Sequence, residues 1–462
     1  MMPNPPPPTI SYLPVELLQM IFGYCAEQQP EHSVFQLCRA YPHWIAITYV
    51  CRHWRAAALN HHSLWTSINT DHLGTRWAKS FMKRSNPALV DVTVRIDPII
   101  YGTRHKNAHE IVVILLSGCT RLRTLHIIGE TRTVCKVLYA LDAATPIRSL
   151  SLDIADGGGY PVFLPRHLFG RQAPIHEVCF VARGYIVAPH GLFHGVTHFT
   201  SSQQIPLQNL LDSLRQMPAL QSFTLQRCNL IWEDTDAPWN VQVPMRNLTC
   251  LTVDVNSRSP FFFALLNQRL ALPDGAKRKL RLHTATDWDE SDSALWTPSV
   301  LAAIRAANGL RHIRLSGGIR EGSFCLWTGD SGVEEAEFSF EVTWWFRRLG
   351  SVPSPIFDLA PLCDLLDAKT ARKLALLINP LGCIELGRLY WWTLLESMTA
   401  VEELEVRVEA VRELRYAWAV YSAPAVLPKL RRVRMTQAIS KASSVEETTE
   451  EGLMRLLQGS VK

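Results

Sequence analysis

Apolar side chains recur with two different periods along this chain, first a helical one and later that of strands alternating with helices. Near the start, Leu13-Pro14-Val15-Glu16-Leu17-Leu18-Gln19-Met20-Ile21-Phe22-Gly23-Tyr24-Cys25 places Leu17, Leu18, Ile21, Phe22 and Cys25 on one wide stripe, which predicts an amphipathic helix. Pro14 suits the first helical turn, where its missing N–H costs nothing. Glu16 sits where the helix dipole favours an acid. So short a helix carries more apolar surface than it can hide alone, and it needs a partner. The polar stretch Glu27-Gln28-Gln29-Pro30-Glu31-His32-Ser33 then reads as a loop. Periodicity resumes from Trp44 to Leu59, predicting a second helix with Ile47, Val50, Cys51, Trp54 and Ala58 on one face and Arg52 and Arg55 flanking it. After a polar break at Asn60-His61-His62-Ser63, Leu64-Trp65-Thr66-Ser67-Ile68 reads as a first strand.

Past residue 85 a hexad recurs with apolar residues at its first, fourth and sixth positions. Early copies are Leu89/Val92/Val94, Leu122/Leu125/Ile127, Ile147/Leu150/Leu152, Ile175/Val178/Phe180, Leu220/Phe223/Leu225 and Leu248/Leu251/Val253. Later ones are Leu310/Ile313/Leu315, Val401/Leu404/Val406 and Leu430/Val433/Met435. This resembles the strand half of a leucine-rich repeat, whose last two apolar residues point inward from one face. The hexads alone prove little, since about ten would arise by chance in a chain of this length and apolar content. Context decides. Several hexads follow a helix-like segment: Leu115/Leu116, Val137/Leu138/Leu141, Leu210/Leu211/Leu214, Val300/Leu301/Ile304 and Leu394/Leu395/Met398. Steps of 25 and 28 residues between early copies match one strand plus one return helix per unit. The repeat is degenerate, with Cys228-Asn229-Leu230 as one surviving copy of the usual Asn or Cys after the strand.

The blocks L-P-x-E-L-L-x-x-I-F, V-C-R-x-W-R-x-x-A-L and S-L-W-T-S-I, in that order, resemble the F-box, especially the variant abundant in mushroom-forming fungi. The resemblance covers about sixty residues. It implies a helical module that binds the small Skp-type adaptor of a cullin–RING ubiquitin ligase, mainly through apolar contacts. Carried over position by position, the implied contacts are Leu13, Pro14, Glu16, Leu17, Ile21, Phe22, Val50, Cys51 and Trp54. The segment 27–43 is longer than the minimal family pattern. Leu17 and Leu18 cannot both face one buried seam, so part of this set belongs to internal core. Two ordinary core helices remain the plain alternative.

Composition narrows the partners. A chain of 462 residues exceeds what one core can serve, so two domains or an elongated repeat array is expected. With 47% hydrophobic and 19% charged residues the chain is of the ordered class. The net charge of +5 comes without any sustained Lys/Arg run, so neither nucleic acid nor a membrane surface is a favoured partner. Pro5 to Pro8 favour an extended, solvated arm rather than a signal peptide. The runs Ile111–Leu116 and Phe261–Leu266 fall far short of the ~18 residues a membrane span requires. Eleven scattered cysteines with no C-x-x-C read as reduced thiols of a cytoplasmic or nuclear protein.

Nothing in the sequence assembles a catalytic set, and no cofactor or metal is implied. His190, His194 and His198 share a four-residue spacing, but Gly191 and Gly195 oppose a helix and 196–200 fits a strand better. Asp156-Gly157-Gly158-Gly159-Tyr160 lacks a G-K-[ST] ending and reads as a loop after a strand. The acidic group at 287–292 lacks a calcium-loop pattern and reads as a solvated connection or part of a target-binding rim. Of the pairs Trp344-Trp345 and Trp391-Trp392, one member each can face outward on a strand; burial of both at repeat junctions is the plain reading. The expected architecture is α/β: a Pro-rich tail at 1–10, an F-box-like helical module at 11–68, and a leucine-rich-repeat-like solenoid of parallel strands at 69–440. It is irregular at about 324–382, and an acidic linker and capping helix follow at 441–462. The expected function is a non-catalytic substrate-recognition subunit of an SCF-type ubiquitin ligase, holding an unknown target protein on the repeats. An interaction scaffold without a ligase role is the alternative.

Overall fold

The structure is a computed structural model that describes residues 13–27, 43–70, 75–96, 120–141, 147–155, 162–165, 175–182, 184, 186–187, 192–231, 242–256, 266, 269–273, 275–285, 312–317, 321–328, 336, 338–345, 370–378, 395, 398–407, 411 and 427–436. The chain divides into two compact units, 1–219 and 220–462.

The first unit opens with helices. α1 (Val15–Glu27) is followed by a 3-10 helix (His43–Tyr49), α2 (Arg52–Asn60) and a second 3-10 turn (His62–Trp65). The continuous helix expected from Trp44 to Leu59 is therefore two pieces. Ile45, Ile47, Thr48, Tyr49 and Val50 are β-branched or aromatic residues with weak helix propensity, and Cys51 turns to extended backbone (φ −156°, ψ 172°) to start α2. The strand expected from Leu64 begins only at Ser67, because Leu64 and Trp65 complete the 3-10 turn and enter the core.

That core is aromatic. Trp65 meets Trp44 edge-on at 5.0 Å and Phe81 at 4.9 Å, and Trp44 and Phe81 lie 6.0 Å apart. Such tilted pairs contribute beyond their buried area. The Trp65 indole N–H donates to the Ala58 carbonyl at 2.9 Å, and the Arg84 guanidinium caps the ring face at 4.3 Å. Phe81 belongs to α3 (Thr75–Arg84), whose C-terminal end is held by Arg121, donating to the Met82 and Ala88 carbonyls at 2.9 and 2.7 Å. The helices thus share one core with α3, which leads directly into the strands.

Those strands are β1 (Ser67–Asn69), β2 (Val90–Ile96), β3 (Leu122–Gly129), β4 (Ser149–Ile154), then β5 (Val162–Phe163), β6 (Glu177–Ala182), β7 (Ile186–Val187) and β8 (His198–Pro206). β1, β2, β3, β4, β6 and β8 pair in that order, every pair parallel, and β5 and β7 form a separate two-stranded parallel sheet. In register, Leu125, Leu150, Val178 and Phe199 stand side by side in one buried column. α4 (Thr131–Ala140) and α5 (Leu207–Arg215) are return helices that bury Val137 and Leu138, and Leu210, Leu211 and Leu214. Entry to β4, β6 and β8 is marked by one repeated backbone bond. Arg148 N–H donates to Arg123 O, His176 to Arg148 and Thr197 to His176, each at 2.8 Å.

The second unit contains β9 (Ser222–Ile231), β10 (Val243–Pro244), β11 (Cys250–Asn256), β12 (Leu270–Ala271) and β13 (Lys277–Ala285), then β14 (His312–Gly317), β15 (Glu321–Trp327), β16 (Phe338–Trp345), β17 (Lys373–Ile378), β18 (Glu403–Arg407) and β19 (Arg432–Thr436). β9, β11, β13 and β16 are parallel neighbours, as are β14, β17, β18 and β19. Between the two sets runs β15, antiparallel to both β16 and β14. The same entry bond recurs here, from Thr249 to Gln221, Lys277 to Thr249, Glu402 to Arg372 and Arg431 to Glu402, at 2.7–2.8 Å.

Strands outside the hexad series have specific causes. β8 buries Ser201 opposite Phe180 and Gln203 opposite Ala182, and the Gln203 side-chain carbonyl accepts the Ile186 N–H at 2.8 Å. β13 arrives one residue early, so Arg278 stands opposite Leu251. Two residues before β17 stands Ala371, buried but small. At β2 the buried set is Val90, Val92, Val94 and Ile96, with Leu89 only part-buried.

Candidate functional site

α1 has two apolar faces, one buried and one exposed. Leu18 and Phe22 are completely buried. Leu17 (46% exposed), Met20 (62%), Ile21 (40%) and Tyr24 (64%) point outward. Their spacing of i, i+3, i+4 and i+7 makes them one continuous stripe. The single stripe expected from Leu17, Leu18, Ile21, Phe22 and Cys25 is thus split, with Leu18 and Phe22 inward and the others exposed. Among the described elements, α2 and both 3-10 helices pack on α1, and Leu18 and Phe22 are its completely buried residues. Outward apolar residues of this kind form a patch of roughly a few hundred Å², the size at which a monomer's surface is often functional.

The remaining candidates divide between surface and scaffold. Leu13 is part-buried, and its carbonyl lies 3.3 Å from the His53 ring, which ties the entry of α1 to α2. Pro14 is exposed, and its carbonyl accepts the Leu18 N–H at 3.1 Å, starting the helix. Glu16 is exposed in the first turn. Val50 is 56% and Tyr49 69% exposed, giving a second outward apolar point beside the break in the helix. Cys51 caps α2: its Sγ accepts the Trp54 N–H at 3.4 Å and its carbonyl accepts Arg55 N–H at 3.0 Å. The Trp54 ring packs against Phe22 at 5.3 Å, and its indole N–H is buried without a hydrogen-bond partner among the described residues. Phe22 and Trp54 therefore hold α1 on α2, and the outward surface is made by Pro14, Glu16, Leu17, Ile21 and Val50, with Cys51 at the helix start. Sequence reasoning missed Met20, Tyr24 and Tyr49. Their signal was present, since Leu17, Met20, Ile21 and Tyr24 follow helical spacing as regularly as the inward pair.

Electrostatics here are mild. Burial, with help from neighbouring His62, lowers the His61 pKa, so its ring at the end of α2 favours the neutral form. Burial and Arg55 likewise press down on Arg84, which stacks over Trp65.

The other motifs set aside in the sequence form no site among the described residues. Gly195 and its neighbours form a turn, and His198 begins β8, so His194 and His198 are not aligned on a helix; His190 lies outside the described residues. The glycine loop at 156–160, the acidic group at 287–292, Trp391 and Trp392, and the tails at 1–10 and 441–462 also lie outside them. Among the described residues no cluster of His, Cys, Asp and Glu could hold a metal, and no helix is long and apolar enough to cross a membrane.

Residues 10–71 match the F-box-like family. No curated protein matches the chain. Among solved structures, the leucine-rich repeat-containing protein LegL7 from Legionella pneumophila is similar at 11% identity, covering 80% of this chain and 98% of its own, with a TM-score of 0.27. So loose a likeness adds nothing to the parallel ladders themselves. The chain is α/β, with an F-box-like helical region followed by leucine-rich-repeat-like parallel strands. An F-box-like region joined to such a repeat fits an adaptor that holds one protein and recruits another. F-box domains in general bind Skp-type adaptors.

Proposed function

We propose that this chain is the substrate-recognition subunit of an SCF-type cullin–RING ubiquitin ligase. The F-box-like module docks the Skp-type adaptor, and the repeat holds a target protein. The observation that carries the reading is the outward stripe of Leu17, Met20, Ile21 and Tyr24 on a helix whose opposite face is already packed. A surface of that kind suits a partner, and the F-box-like match supports a Skp-type adaptor in that place. The contribution is one of proximity: tethering a target beside a ubiquitin-loaded enzyme raises its effective concentration without any bond made by this chain. The adaptor site on this reading comprises Leu13, Pro14, Glu16, Leu17, Ile21 and Val50, joined by Met20 and Tyr24. Phe22, Trp54 and Cys51 support it from behind. The place of action is the cytoplasm or nucleus, where such ligases work. The test is size-exclusion chromatography of the full chain with purified adaptor. A stable 1:1 complex at micromolar concentration is expected. No shift would leave a repeat scaffold without a ligase role.

A further inference from the structure

The open face of the second unit's sheet carries a hollow of about 270 Å³, lined by His312, Arg314, Trp327, Lys373, Glu403, Glu405, Arg432 and Arg434 over backbone and inward residues of the same strands. Register explains its composition. Leu374, Leu404 and Val433 turn inward, so the alternate residues of β17, β18 and β19 face out in rows. One row is His312, Lys373, Glu403, Arg432, and the next is Arg314, Ala375, Glu405, Arg434, with His312 and Ala375 themselves buried.

The two rows differ in how their charges are satisfied. In the first, Glu403 is bracketed by Lys373 at 3.4 Å and Arg432 at 3.5 Å. In the second, neither Arg314 nor Arg434 has an ion-pair partner among the described residues. Ala375 leaves the gap between Arg314 and Glu405 that forms the hollow's floor. Arg314 is held ready: its guanidinium lies 5.2 Å from the Trp327 ring centre, and that ring is itself stacked on His312 at 4.7 Å and 7°. A guanidinium positioned in advance loses less freedom when it binds. In all, four cationic side chains face two carboxylates in the hollow.

We infer that this hollow binds an extended acidic segment of the target protein, with carboxylates about four residues apart. The inference rests on the substrate-recognition reading and names its chemistry. Arg314 and Arg434 are separated by three strand spacings, about 14 Å, which an extended peptide covers in about four residues. Side-chain carboxylates suit the site better than a doubly charged phosphate, because Glu405 stays between the two arginines and repels a dianion more strongly.

The test uses the full chain and a fluorescein-labelled Gly/Ser peptide with two glutamates four residues apart, titrated by fluorescence anisotropy. Saturable binding is expected, weakening with salt. Arg314→Gln and Arg434→Gln should each weaken it about fivefold, and the double variant about twentyfold, as expected for exposed ion pairs. Replacing both glutamates by glutamine should weaken it as much as the double variant. Lys429→Gln, outside the hollow, should change nothing. Arg434 is exposed, so its variant keeps the fold and reads binding alone. Equal binding of the glutamine peptide, wild-type affinity in Arg434→Gln, or no saturable binding at millimolar peptide overturns the inference. The adaptor complex is measured on the same samples. Loss of peptide binding with the adaptor retained condemns the hollow only, and the reverse pattern condemns the ligase reading only.

Discussion

Leu17→Asp separates docking from folding more sharply than any other change in the N-terminal module. Leu17 is 46% exposed on the outward stripe, while its neighbour Leu18 is fully buried. Full burial of a leucine contributes about 1.5–3 kcal/mol, so covering the part of Leu17 still in water contributes about 1 kcal/mol. Leu17→Ala should therefore weaken adaptor binding about fivefold. Leu17→Asp also places an unpaired carboxylate in an apolar interface, at a further cost of several kcal/mol, so its affinity should fall more than about a hundredfold. In the free protein that carboxylate stays in water, but the half of Leu17 already covered there is lost, so stability should fall by about 1 kcal/mol. Leu18→Ala is the counterpart: it opens a cavity and should cost about 2–5 kcal/mol of stability. The assay is isothermal titration of purified adaptor into each variant, paired with thermal unfolding by circular dichroism. Wild-type affinity in Leu17→Asp, or a melting temperature lowered as far as in Leu18→Ala, would refute the assignment of the outward face.

Three other changes follow from the same geometry. Cys51 caps α2 through sulfur, a weak acceptor, so Cys51→Ser should raise stability in denaturant titration by up to about 1 kcal/mol, whereas Cys51→Ala should lower it by about 0.5 kcal/mol or more. Trp54→Phe removes a buried, unpartnered N–H while keeping a ring near Phe22; the loss of ring volume and the relief of that donor should offset to within about 1 kcal/mol, whereas Trp54→Ala should cost about 3–5 kcal/mol. The glycines in α1 and β3 should respond with opposite signs. A Cβ at Gly23 meets nothing within 4 Å, so Gly23→Ala should stabilise α1 by about 0.5–1 kcal/mol. At Gly129 a Cβ would lie 2.8 Å from the Ile96 carbonyl oxygen of the adjoining strand, so Gly129→Ala should destabilise by about 1–3 kcal/mol.

The sequence by itself determined the local periods. Helical spacing marked α1, α4 and α5, and the hexads at Leu122, Ile147, Ile175, Leu220, Leu248 and Val401 became buried columns of parallel strands. These are legible because the residues that cooperate are chain neighbours. Where a position lacked a large apolar residue, as at Gln203, Arg278 and Ala371, the strand's place in the repeat series was hidden until hydrogen bonds with distant residues set it, although 196–200 already read as a strand. The reversed strand β15 was equally hidden, because strand direction depends on which neighbour completes the ladder and not on local pattern. The candidate site shows the same division. Sequence showed that α1 has apolar surface to spare, but only packing against α2 decided that Leu18 and Phe22 take the inside. Leu17, Met20, Ile21 and Tyr24 are left outside because a helix can present just one face to one core.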